Sequence, residues 1–265
     1  MDYKAIFLDV DGTLLTDDLT IALGSVKILS SLARRGLLIC VVTARPPAAS
    51  LFIYDQLGIP QNPIICFNGA LILQENRILH EETIATPQLL QILEEVKGYV
   101  VRPSLYRHHD WLTEEVDRWV HQEMEITQTT PTQTEFNHIL SADFRPNKIL
   151  CMGESSEIDA LEHHLKQMDL PDLNFHKSKP TYLEIMNRRA SKSKGIERVI
   201  SAWQVKREEI IAIGDNFNDL DMLRYAGTSV AMDNAPDEVK NSATFVTDSN
   251  NQEGILKALE KLIPL

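Results

Sequence analysis

The chain has 265 residues, 43% hydrophobic and 24% charged, the balance of a globular protein with room for one or two domains. Its 26 basic side chains stand against 38 acidic ones, a formal charge of -12 at pH 7. That excess argues against nucleic acid or an anionic membrane surface as partner, since both attract basic faces. A small anionic ligand stays compatible, because it responds to the local field.

The first third alternates apolar strands with helical patterns. Lys4 to Leu8 reads as a buried strand. Apolar Leu23, Val26, Leu29 and Leu32 recur at helical spacing and predict a helix over Ile21 to Arg35, ended by Gly36. Leu37 to Val42 predicts a second buried strand, Ala48 to Leu57 a helix, and Pro63 to Phe67 a third strand. The middle of the chain mixes a strand near Val100 to Tyr106, a helix over Thr113 to Glu123, a strand over Lys148 to Met152 and a helix over Ser155 to Met168. Strands near Leu173 to His176 and Tyr182 to Met186 complete it. The opening grammar then returns: a helix over Lys194 to Ala202 and a strand over Ile210 to Ile213. Helices near Asp219 to Ala226 and Pro236 to Asn241 alternate with strands at Ser229 to Met232 and Thr244 to Val246, and a last helix spans Gln252 to Leu262. Continuous apolar strands separated by helices predict an α/β fold, a Rossmann-like doubly wound parallel sheet. Residues 1–80 and 187–265 form that core in this reading, and 81–186 are an inserted α+β domain.

Cys40, Cys66 and Cys151 each lie in an apolar run, which predicts buried, reduced thiols. The charged N-terminus lacks the apolar core of a secretory signal, and no apolar run approaches the ~20 residues that span a bilayer. A cytoplasmic location and no membrane partner are expected. Oligomeric state is not legible.

Four segments place polar groups just after apolar strands: Asp9 and Asp11, then Thr43, then Asn68-Gly69, then Asp215 to Asp219. In a parallel sheet these strand ends share one edge, where ligands bind. On strand alternation Asp9 and Asp11 should project to one side. Two carboxylates that close resist ionising together unless a cation intervenes, which predicts a metal. A further cation at the start of a helix, Lys194 before Gly195, reaches the same edge; Lys192, two residues earlier, is the alternative. Carboxylates, a hydroxyl and a lysine in this arrangement suit Mg²⁺-dependent phosphoryl transfer.

The chain resembles the haloacid dehalogenase superfamily, specifically its Cof-type phosphatases. Asp9-Val10-Asp11-Gly12-Thr13-Leu14 resembles the family's first motif and Thr43 its second. Lys194 stands for the family lysine, and Gly214-Asp215-Asn216-Phe217-Asn218-Asp219 for the fourth motif. The resemblance implies that Asp9 is the nucleophile and Asp11 the general acid/base. It implies a substrate site of Thr43, Ala44, Asn68, Lys194 and Asn218, in which Thr43 and Lys194 bind phosphate and Lys194 also steadies Asp9, and Mg²⁺ held by Asp9, Asp11 (through its carbonyl), Asp215 and Asp219. Ala44 stands where relatives often carry Gly and adds one methyl beside a phosphate-binding amide. Asn68-Gly69-Ala70 resembles the segment before the cap, and the inserted domain resembles the family's cap.

The expected activity is phosphatase action on small phosphorylated metabolites, by resemblance sugar phosphates, through an aspartyl-phosphate. A phosphomutase uses the same intermediate and stays an alternative. A non-catalytic phosphometabolite sensor is the other, though a sensor need not keep nucleophile and proton donor together. His108-His109 and His163-His164 are adjacent pairs whose side chains diverge, and read as surface groups rather than a metal site. Arg188 and Arg189 are candidates for a second polar part of the substrate.

Overall fold

The computed structural model describes residues 2–75, 77–140 and 144–263. They fall into two compact units: Met1–Ala44, Ser50–Leu79 and Ser191–Leu265 in one, Arg45–Ala49 and His80–Ala190 in the other. In chain order the elements are β1 (Ala5–Leu8), α1 (Leu23–Arg34), β2 (Leu38–Val42), α2 (Phe52–Leu57), β3 (Ile64–Cys66), β4 (Leu71–Gln74) and β5 (Arg77–Glu81). Next come α3 (Thr86–Val96), β6 (Val101–Arg107), β7 (Asp110–Thr113), α4 (Arg118–Thr127), β8 (Thr132–Gln133), α5 (Phe136–Leu140) and β9 (Lys148–Gly153). Then follow α6 (Ser155–Gln167), β10 (Leu173–Lys179), β11 (Tyr182–Asn187), α7 (Lys192–Ala202) and β12 (Ile210–Gly214). The chain ends with α8 (Leu220–Tyr225), β13 (Thr228–Ala231), α9 (Asp237–Lys240), β14 (Phe245–Val246) and α10 (Gly254–Leu262).

In the first unit the sheet runs β14-β13-β12-β1-β2-β3-β4-β5 among the described residues. The six strands from β14 to β3 pair in parallel, and β4 returns antiparallel to β3. β1 is central, with Ala5 opposite both Ile210 and Leu38, and all four of its residues are buried. Burial on both faces is why Ala5-Ile6-Phe7-Leu8 is continuously apolar rather than alternating. One face carries Phe7, Cys40, Ile65 and Ala212 against Ile196, Val199 and Ile200 of α7, Met222 and Leu223 of α8, and Val239 of α9. α1 packs beside α2, α10 and β2. The fold is the α/β, doubly wound class expected.

The second unit is a sheet in the order β10-β11-β9-β6-β7-β8, with Leu105, Ile149, Cys151, Leu183 and Ile185 packed against Ile92 of α3 and Ile158, Leu161 and Leu165 of α6. The helix expected over Thr113 to Glu123 is displaced. Thr113 closes β7 opposite Ser104, and α4 starts at Arg118, where the Asp117 carboxylate accepts from Trp119 N (2.9 Å) and Val120 N (3.1 Å). An aspartate satisfying two otherwise orphaned N–H groups sets a helix start more strongly than apolar spacing does. The three cysteines are buried and unpaired. No helix among the described residues is long and apolar enough to cross a membrane.

Candidate active site

The site lies in the first unit, beyond the carboxyl ends of β1, β2, β3 and β12. β1 stops at Leu8, and Asp9 N still donates to Ile213 O of β12 (3.0 Å), so Asp9 sits where the two central strands end. It is 5% exposed. The chain then turns at once: the Val10 carbonyl accepts from Thr13 N, Leu14 N and Leu15 N at 3.4, 3.0 and 2.9 Å. Gly12, at φ +76°, makes the turn possible, because a Cβ there would overlap the Asp215 carboxylate. Asp11 therefore lies past the strand, in the turn. Asp9 is buried while Asp11 is exposed, its charge acting on Asp215, and the carboxylates packed around Asp9 form a further grouping.

That grouping is Asp9, Asp215 and Asp219, each offering an oxygen within 4.8 Å of the others. Asp215 follows β12 directly. Asp219 is fully buried, and its Oδ2 accepts from Asp215 N and Asn216 N, both at 2.9 Å, which folds the Gly214–Asp219 turn back on itself. The close return needs Gly214, since a Cβ there would lie 2.6 Å from Asp219 Cγ. Thr13 Oγ1 donates to Asp215 Oδ1 at 2.7 Å, fastening the first motif to the fourth. Asn234 adds a brace from Nδ2 to Gly12 O (2.8 Å) and to Asp215 Oδ2 (3.4 Å).

The cation inside this cluster is Lys192, not Lys194. Ser191 caps α7, its hydroxyl accepting from Lys194 N, and Lys192 is the first residue of the helix. Lys192 is buried with Gly195, Ile196 and Val199, three, four and seven positions on, whereas Lys194 lies on the exposed face. Lys192 Nζ donates to Asp9 Oδ1 and, at 2.5 Å, to Asp219 Oδ1. Gly195 is thus a feature of the buried stripe and does not mark the lysine that precedes it.

Thr43 directly follows β2, fully buried, with Thr43 N donating to Ile65 O (2.8 Å) and Thr43 O accepting from Asn68 N (2.9 Å). Ala44 follows, half-buried. Asn68 adopts left-handed backbone (φ +49°), and its Oδ1 accepts from Asn218 Nδ2 at 3.3 Å, so these two expected substrate residues do meet. Thr13 and Asn234 did not figure among the expected site residues. Thr13 was inside the quoted motif, whereas nothing in the local sequence distinguishes Asn234.

Electrostatics set the cluster apart. Burial, with Asp219 nearby, pushes the Asp9 carboxyl well above its ordinary 3.8 against the pull of Lys192. Burial likewise pushes Asp215 up to about 7, although the Thr13 hydroxyl opposes the shift. For Lys192, burial works against the charge, but Asp219 and Asp9 outweigh it and hold the ammonium protonated. Three carboxylates therefore face one ammonium, an excess of negative charge in a buried place. All the free donors are oxygens, the class that magnesium takes, and a divalent cation neutralises that excess. The residues fit Mg²⁺. Asp219 already accepts from two backbone amides and Lys192, so Asp9 and Asp215 are the carboxylates with ligand capacity to offer.

The remaining candidates lie elsewhere. His108 Nε2 meets Glu81 (2.7 Å), His164 Nε2 meets Glu95 (2.7 Å), and neither adjacent histidine pair forms a metal-ligating cluster among the described residues. Arg188 and Arg189 are exposed, Arg188 reaching Pro171 O at 3.3 Å.

A family model described as haloacid dehalogenase-like hydrolase matches residues 6–259. A protein of Haemophilus influenzae, provisionally named a phosphatase, is 34% identical over 267 positions spanning 100% of both chains. The 5-amino-6-(5-phospho-D-ribitylamino)uracil phosphatase YitU of Bacillus subtilis is 29% identical over 271 positions, 98% of this chain and 97% of that one. Among solved structures, a haloacid dehalogenase-like hydrolase from Bacteroides thetaiotaomicron aligns with a TM-score of 0.91 at 26% identity, covering 98% of this chain and 100% of its own.

Proposed function

This chain belongs to the haloacid dehalogenase-like hydrolase family, in its Cof-type branch, and is a phosphoric monoester hydrolase; on that premise we propose that it hydrolyses small phosphorylated metabolites with Mg²⁺, through an aspartyl-phosphate on Asp9. Sugar and sugar-alcohol phosphates are the leading substrate class, and the phosphoribityl compound in the name of the Bacillus subtilis relative supports it. The reading rests chiefly on one observation: Asp9 is buried at the end of the central strand, gripped by Lys192 and beside Asp215. We assign the second unit the role of the family's inserted cap domain.

Each residue then has a task. An Asp9 carboxylate oxygen attacks phosphorus while the bond to the leaving oxygen breaks, and Asp11 gives that oxygen its proton. Asp11, now a carboxylate, removes a proton from water; the water oxygen attacks the aspartyl-phosphate, and the phosphorus–Asp9 bond breaks to release phosphate. Lys192 keeps the carboxylate oriented and its charge partly offset. The Thr43 hydroxyl, the Ala44 amide and Asn218 hold the phosphoryl oxygens where charge concentrates. Asp9, Asp215 and the Asp11 carbonyl, with Asp219 in support, would hold Mg²⁺, which would supply charge neutralisation for the phosphoryl group.

The test is phosphate release from a panel of phosphorylated sugars, sugar alcohols and cofactors, with product analysis for isomerised sugar phosphate. Mg²⁺-dependent release supports the reading; isomerisation without release favours the mutase, and inertness across the panel contradicts both.

A further inference from the structure

We propose that the close approach of Gly69 to the start of α7, with Gly195 behind it, sets the position of the Lys192 ammonium. These two glycines are then positioning residues for the reaction proposed above, on which this inference rests.

Three consecutive residues after β3, Phe67, Asn68 and Gly69, have positive φ, at +49°, +49° and +100°. For a bulky, fully buried phenylalanine that backbone is unusual and is kept only where its surroundings over-determine it. Here they do: Asn68 N donates to Thr43 O (2.9 Å), Ala70 N to Phe67 O (3.0 Å), and Asn68 Oδ1 receives Asn218. The turn presses Gly69 onto the backbone of Ser191. A Cβ on Gly69 would overlap the Ser191 carbonyl oxygen and lie 3.0 Å from Ser191 N. One turn along the helix, a Cβ on Gly195 would lie 2.6 Å from Ile65 Cγ2 and 3.5 Å from Gly69 Cα. The two glycines remove the side chains that would otherwise hold α7 away from β3 and its turn.

What this contact controls is Lys192, which follows Ser191 directly. Its side chain is wholly buried and its Nζ is gripped between Asp9 and Asp219. Ser193 N is fixed as well, donating to Asp221 Oδ2 at 2.8 Å. A buried lysine stem pinned at both ends has no slack, so a shift of the helix start passes to the ammonium. A misplacement near 1 Å at a reacting centre can cost about 100-fold in rate.

The experiment uses the full-length chain with a generic aryl phosphate and compares wild type, Gly195→Ala, Ile65→Ala and the double variant. In Gly195→Ala the new methyl meets Ile65, and kcat is expected to fall about 10- to 100-fold while KM stays within about twofold. In the double variant the obstructing methyl is gone, and kcat returns to within about threefold of Ile65→Ala although Tm remains below wild type. A purely structural role predicts the opposite, with kcat following the folded fraction downward. Wild-type kcat in folded Gly195→Ala overturns the proposal. So does a double variant that is folded yet about tenfold or more slower than Ile65→Ala, and that comparison decides the matter if Gly195→Ala alone does not fold. Lack of phosphatase activity in wild type would instead overturn the proposed function.

Discussion

Lys192 donates from Nζ to the Asp9 carboxylate across 183 positions of sequence, and the same ammonium reaches Asp219. The contact joins the first strand of the core to the helix that resumes it after the second unit. It also divides the two nearby lysines: one is buried inside the carboxylate cluster, the other exposed on the helix.

Replacing the two lysines therefore separates their roles. Lys192→Met leaves Asp9 and Asp219 buried with no cation between them, a situation that costs about 3–5 kcal/mol, and should lower kcat by about 100-fold or more. Lys194→Met should stay within about 0.5 kcal/mol of wild type and keep its kcat. Thermal unfolding and steady-state kinetics on both variants check this.

Thr13 offers a subtler probe. Thr13→Val keeps the shape but removes the hydrogen bond to Asp215 Oδ1, which should destabilise the protein by about 1.5–3 kcal/mol. Apparent Mg²⁺ affinity in the phosphatase assay should weaken as well, because Asp215 loses the donor that orients it. Unchanged unfolding and unchanged Mg²⁺ dependence would show that this link is unimportant.

The metal itself is tested by removal. Dialysis against EDTA should stop phosphate release, Mg²⁺ should restore it, and the melting temperature should rise with added Mg²⁺, because the ion binds the folded cluster only. A protein indifferent to both in rate and melting would contradict the carboxylate site.

The second unit carries its own pH signature. Burial raises the carboxyl of Glu123 above its ordinary 4.5, Lys148 only partly opposing it. A carboxyl whose folded-state pKa is raised holds its proton more tightly when folded. Its stabilising contribution is therefore complete below 4.5 and is lost as pH climbs through the raised value. Glu123→Gln mimics the protonated form, so its Tm should gain on wild type as pH is raised from 4.5 to neutrality. Melting curves of both proteins across that range decide it; a constant difference would contradict the buried charge.

Most of the core was legible because buried parallel strands announce themselves as continuous apolar runs, as Ala5 to Leu8 and Ile210 to Ile213 do. The site was legible as a set of strand ends, and less so as geometry. Strand alternation alone does not place Asp11, because β1 has already ended at Leu8 and the chain turns on the Val10 carbonyl. Lys192 carries its own signal: with Gly195, Ile196 and Val199 it completes a helical stripe, and Ser191 before it is a natural cap. Lys194 aligns instead with polar Glu197 and Arg198. The α4 boundary was set by Asp117, whose capping outweighs the apolar spacing that suggested Thr113. Asn234 left no local trace, since its role exists only once the β13–α9 connection comes beside Gly12.

Trapping the nucleophile is the most direct measurement of the proposed chemistry. Wild type and Asp9→Asn are mixed with a ³²P-labelled sugar phosphate and quenched in acid within a single turnover, and the protein-bound label is mapped by peptide. Label is expected on the peptide containing Asp9 in wild type, with neither label nor turnover in a folded Asp9→Asn. Turnover persisting in Asp9→Asn, or label on a different residue, would contradict that chemistry.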